Sequence, residues 1–91
     1  MQRLDSKVHG TLIRNKDGRE IPADEFIVFR PADNAVLPTL RFYREQLVND
    51  GASSAQIRAV SDLISRVIDW RAAHPTRCHV ADVEPGELQL E

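Results

Sequence analysis

Four consecutive large apolar residues, Phe26 to Phe29, bounded by Glu25 and Arg30, constrain this chain more than any other stretch. In a strand, neighbouring side chains face opposite ways, so Phe26 and Val28 look to one side and Ile27 and Phe29 to the other. Both sides then need cover. A chain of 91 residues buries only about two thirds of the surface that its unfolded form exposes. That suffices for helices over one face of a small sheet. The second face is left to the C-terminal segment, to a second copy of the chain, or to a different protein.

The flanks of this run read as the rest of a small sheet. "VHGTLIRNKDGREIP" has β-branched and apolar residues on either side of a turn-forming "NKDG", the signature of a β-hairpin. Gly18 is the natural site for positive φ there. Pro22 closes the second strand because it has no N–H for the ladder. With Phe26 to Arg30 as a third strand, the expectation is an antiparallel meander.

Beyond "RPADN" the apolar period changes. Val36, Leu40, Tyr43 and Leu47 form a helical stripe, with Asp33 or Asn34 as N-cap, Pro38 in the first turn and Gly51 as the stop. "SSAQ" then offers a capping box, Ser53 with Gln56. In the helix that follows, Trp70, Leu63, Val67, Val60, Ile64, Ile57 and Ile68 fall on one arc, about 160° wide at 100° per residue. Such an arc is broad enough to meet both a helix and a sheet. Pro75 ends it, and the short "NDGAS" connection predicts an antiparallel helix pair. "TRCHVADVEPGELQLE" adds the option of a fourth strand around Cys78 to Val83 before an acidic, mobile end. Leu90 and Glu91 have the look of a cloning remnant.

Hydrophobic residues at 42% and charged residues at 29% match an ordinary folded domain. The four-residue apolar run falls far short of the roughly 20 residues that a membrane span needs. The polar start "MQRLDSKVHG" lacks the apolar stretch of a secretory signal, and Cys78 is alone, so the expected compartment is the cytoplasm. The last twelve residues carry four acidic groups and no basic one, leaving the remainder of the chain at a net charge of +2.

Candidate chemistry is sparse. His74, Cys78 and His79, with Asp82 nearby, make only half of a paired zinc-ligand pattern, and a packed thiol with a histidine at a helix C-terminus is the simpler account. Cys78 and His79 are adjacent, so on a strand they point apart, which disfavours a nucleophile and base pair. No phosphate loop, dinucleotide fingerprint or zincin motif is present. The chain is therefore expected not to be an enzyme and to carry no metal, cofactor or small-molecule ligand.

Arginines raise nucleic-acid binding. On the second helix Arg58, Asp62, Arg66 and Asp69 alternate in sign, and Arg41 has Glu45 four residues on, so these charges are expected to pair and cancel. Arg30 and Arg44 lack local partners and remain the basic candidates. Phe42 lies on the far side of its helix from the apolar stripe, either packed under a loop or marking a contact site.

The stretch "IPADEFIVFRPADNAVLPTLRFY" resembles short bacterial and phage-associated proteins with an acidic pair, an apolar strand, an arginine ending it, an aspartate three residues later and then a helix. The matching positions are Asp24, Glu25, Phe26 to Phe29, Arg30 and Asp33, with Phe26 where such proteins often have proline. The resemblance implies no activity or site, only an accessory role in a mobile element. Physically, Arg30 and Asp33 are expected to pair across the strand-to-helix corner.

These readings combine into an α+β fold. A small antiparallel β-meander of three strands, with a fourth optional, packs on an antiparallel two-helix hairpin. One domain is expected over 1–91, with the meander at about 7–32, helices at 34–50 and 53–74, and a C-terminal segment at 76–91. The expected function is that of a small non-catalytic protein-interaction module that self-associates or binds a protein partner. Its expected contacts are Phe26, Ile27, Val28, Phe29 and Phe42. The alternative is weak nucleic-acid binding through Arg30, Arg44 and neighbouring arginines.

Overall fold

The hairpin turn forms where "NKDG" places it: Gly18 sits at φ +69° and its N–H donates to the Arg14 carbonyl at 2.9 Å. The Arg14 guanidinium pairs with Asp17 across the turn. Two short strands leave it, β1 (Leu12–Ile13) and β2 (Glu20–Ile21), antiparallel with Leu12 opposite Ile21 and Ile13 opposite Glu20. These are features of a computed structural model that describes residues 2–89; Leu90 and Glu91, read above as a cloning remnant, lie outside the described residues. The described chain divides into two units, one of Met1–Val28 with Asp82–Glu91 and the other of Phe29–Ala81.

In the first unit the expected third strand does not form. After a 3-10 turn at Ala23–Glu25, Phe26 is extended (φ −138°, ψ 154°), but residues 26–29 join no ladder and the only sheet described has two strands. One of its backbone donors goes to a side chain instead. Asp5 accepts the Val28 N–H on Oδ2 at 3.0 Å, and takes the Lys7 and Val8 N–H groups on Oδ1, also at 3.0 Å. Burial acting alone would raise the Asp5 carboxyl. The amides of Val8, Lys7 and Val28, with the nearby Arg3, outweigh it and hold the group below its ordinary value. The acidic tail, expected to be mobile, is tied to the N-terminal segment. Gln89 N–H donates to the Ser6 carbonyl at 2.7 Å, and Lys7 Nζ reaches the Glu87 carboxylate at 3.2 Å and the Asp82 carbonyl at 2.7 Å.

The second unit is a helical hairpin. Helix α1 (Val36–Asn49) and helix α2 (Ser54–Ala73) pack against each other, linked by a loop in which Gly51 takes φ +75°. Ser53 caps α2 by accepting the Gln56 N–H at 3.1 Å. The core is thin: among the described residues, Val36, Val60, Ile64 and Val67 are its buried apolar side chains. Helix α1 begins differently from expectation. Ala35 occupies the cap position, while Asp33 accepts the Ala35 N–H in the turn before it. Arg30 makes no ion pair with Asp33 among the described residues; they share only an Asp33 N–H to Arg30 carbonyl bond of 3.2 Å. The optional fourth strand is absent as well. Cys78–Val83 contributes a single parallel bridge at His79, whose N–H donates to the Ala32 carbonyl and whose carbonyl accepts the Asn34 N–H.

Candidate interaction surface

Helix α1 presents two contrasting sides. At about 100° per residue, Val36, Leu40 and Leu47 point toward α2. An adjoining arc about 140° wide holds Pro38, Asn49, Phe42, Gln46, Thr39 and Tyr43, without one charged group. Phe42 is 68% exposed and Tyr43 47% exposed. The Arg44 guanidinium donates to Ser61 Oγ at 3.3 Å, which places those two residues on one side of the hairpin. By the same rotation Tyr43 and Leu63 of α2 project from the opposite side, and Leu63 is also partly exposed. Interface centres are depleted of charge and enriched in aromatic side chains, and this side has both properties.

The other expected contact residues form the run at 26–29. Ile27 is 61% exposed, Phe29 55% and Val28 38%, while Phe26 is half-buried. Phe26, Ile27 and Val28 belong to the first unit, and Phe29 and Phe42 to the second. No hydrogen bond among the described residues uses the N–H of Phe26, Ile27 or Phe29, or any carbonyl of residues 26–29.

Ion pairing on the helices differs from expectation. Among the described residues the ion pairs are Lys7 with Glu87 and Arg14 with Asp17, so Arg41, Arg58 and Arg66 have no carboxylate partner within reach. Arg30 is exposed, and Arg44 is engaged by Ser61. Arg71 has a role that charge counting missed. It sits inside the apolar arc of α2, and its guanidinium donates to the Pro31 and Asp33 carbonyls and to Asn34 Oδ1. An arginine in the middle of an apolar arc was the available signal.

At the end of α2, His74 stacks on Trp70 with ring centroids 4.5 Å apart, and the Arg77 guanidinium carbon lies 5.0 Å from the Trp70 ring. The His74 and His79 Nδ1 atoms face the carbonyls of Trp70 and Arg77, and the Cys78 thiol is directed at the His74 carbonyl. Among the described residues no group of three or more His, Cys, Asp or Glu is arranged to hold a metal ion. A depression lined by Arg14, Arg19, Glu20, Ile21, Pro22 and Glu25 is open to solvent. No described helix is long and apolar enough to cross a membrane.

Compared with protein-family models, with curated proteins and with solved structures, the chain matches none of them.

Proposed function

We propose that this chain is a small non-catalytic interaction module that self-associates in the cytoplasm. The observation that carries the reading is the contrast, among the described residues, between a core of four buried apolar side chains and large apolar side chains that stay more than half exposed, Ile27, Phe29 and Phe42 among them. Burying one such side chain is worth about 1.5–3 kcal/mol, so a few suffice to favour association. Cys78, without a disulfide partner, supports the compartment. An accessory role in a mobile element rests on the resemblance of residues 24–33 alone.

Light scattering or sedimentation near 100 μM tests self-association, because a binding free energy of about −6 kcal/mol corresponds to a Kd of about 40 μM. An average mass well above the 10.3 kDa of the chain, rising toward twice that value with concentration, is expected. A monomer at that concentration rejects the reading.

A second reading, nucleic-acid binding, is favoured by the helix arginines that lack carboxylate partners. Arg30, with Arg41 and Arg58, would meet phosphates. Binding to duplex or single-stranded DNA that falls steeply with salt supports it; no binding at low salt excludes it.

A further inference from the structure

We infer that two copies of this chain join through helix α1, packed antiparallel against α1 of the partner subunit about a two-fold axis level with Tyr43. The inference names the contact for the self-association proposed above and rests on that reading.

The surface lies on one regular element. Phe42, 68% exposed, is the most exposed aromatic side chain among the described residues. It stands in the middle of the uncharged side of α1, with Thr39 and Gln46 on one flank and Pro38 and Asn49 on the other, all within about 60° of it around the helix axis. An uncharged strip around an aromatic side chain has the make-up of an interface centre. It also meets a copy of itself with no like charges along the seam.

Charges at the rim select that copy and its direction. Arg41 and Glu45 share the rim away from Tyr43, about 100° and 60° from Phe42. Both are exposed, and neither forms an ion pair among the described residues. A two-fold axis across the helices returns each rim to itself and reverses height along α1. Set level with Tyr43, it brings Arg41 beside Glu45 of the partner subunit and Glu45 beside the partner's Arg41, two acid–base contacts from one symmetry. The two Phe42 side chains then meet near the axis, and Thr39 comes level with the partner's Gln46 to within one residue's rise of about 1.5 Å. Asp50, the C-cap, lies at the end of this side, where Gln46 Nε2 donates to it at 2.9 Å. It stands as far past Tyr43 as Val36 stands before it, so it comes level with the start of the partner's α1, whose positive dipole end suits an acid. Parallel packing about a two-fold along the helices sends each rim to the other side. Arg41 and Glu45 would then face the partner's Tyr43 rim, where α1 offers no opposite charge level with them.

Single cysteines introduced into a Cys78→Ser background test the packing, with circular dichroism confirming that each variant keeps its helices. Under mild oxidation a mixture of Thr39→Cys and Gln46→Cys chains should form the mixed disulfide about tenfold faster than either chain links to itself, because only that pair comes within bridging distance. It should also outpace Ser65→Cys, exposed on α2, which reports random collision. In the chain otherwise unmodified, Glu45→Arg should weaken the dimer about tenfold by sedimentation, and adding Arg41→Glu should restore most of that loss. Self-linking of either cysteine variant that outpaces the mixed product, or no restoration by the double substitution, overturns the inference. Faster linking of Ile27→Cys chains than of that mixture also overturns it, moving the contact to the 26–29 run while self-association stands. An unmodified chain that scatters as a monomer near 100 μM removes self-association, and this inference with it.

Discussion

Arg71 and Asn34 are joined by a 2.8 Å hydrogen bond from Nη2 to Oδ1, which ties the last turns of α2 to the turn ahead of α1. The same guanidinium donates from Nη1 to the Pro31 and Asp33 carbonyls at 3.0 and 3.1 Å. One side chain thus satisfies three acceptors in a segment with no ladder of its own beyond the His79 bridge.

Replacing Arg71 by alanine should therefore destabilise the protein by about 2–3 kcal/mol, since bonds from a charged donor contribute more than neutral ones and a partly buried acceptor set is left open. Arg66→Ala, on the exposed side of the same helix, should change stability by less than about 0.5 kcal/mol. Urea unfolding of the two variants compares them directly. Equal effects would mean that the Arg71 clamp contributes nothing to stability.

Ile64 is 4% exposed and central to the thin core. Ile64→Ala should cost roughly 2–4 kcal/mol, the usual range for deleting a buried aliphatic side chain. Val48→Ala, at a position that is 57% exposed, should cost little. Thermal or chemical denaturation that ranked Val48 above Ile64 would reverse the assignment of helix faces.

Asp5 should make stability depend on acid pH. Its folded carboxyl titrates below its ordinary value of 3.8, held there by the Val8, Lys7 and Val28 amides and by Arg3 against the opposing effect of burial. A depressed folded value means that the ionised group stabilises the fold above the unfolded pKa. This contribution fades as pH falls through the folded pKa. The stability gap between the unmodified chain and Asp5→Asn should stay level from pH 7 to about pH 5 and narrow below about pH 4. Two parallel curves over the whole range would exclude a role for the Asp5 charge.

EDTA should leave the thermal midpoint unchanged. His74 and His79 direct Nδ1 at backbone carbonyls, and the Cys78 thiol lies 3.4 Å from the His74 carbonyl oxygen, so these groups are engaged with the chain. A drop of several degrees on chelation would show a metal contributing to folding.

The two helices were legible because their signals are local. Val36, Leu40 and Leu47 repeat with the helical period, and Ser53 and Gln56 lie within one turn of each other, so propensity, pattern and cap agree without help from distant residues. Exposure of Phe42 was legible as one of two outcomes, because rotation about the helix axis sets its direction but not what lies over it. The 26–29 run has the composition of a strand, and its composition determined that it would be apolar on both sides. Whether it joined a sheet was a tertiary decision. A ladder needs a neighbouring backbone at the right edge, and the nearest strand is two residues long, while Asp5, 23 positions away in sequence, takes the Val28 N–H. Arg71 belongs to the same class. Its guanidinium is held by carbonyls 38 and 40 positions earlier, and their orientation exists only once the helices have closed. Local periodicity thus determined which segments become helical. Only the folded chain decided where unpaired backbone groups and misplaced charges find partners, because those bonds form between residues that sequence distance does not relate.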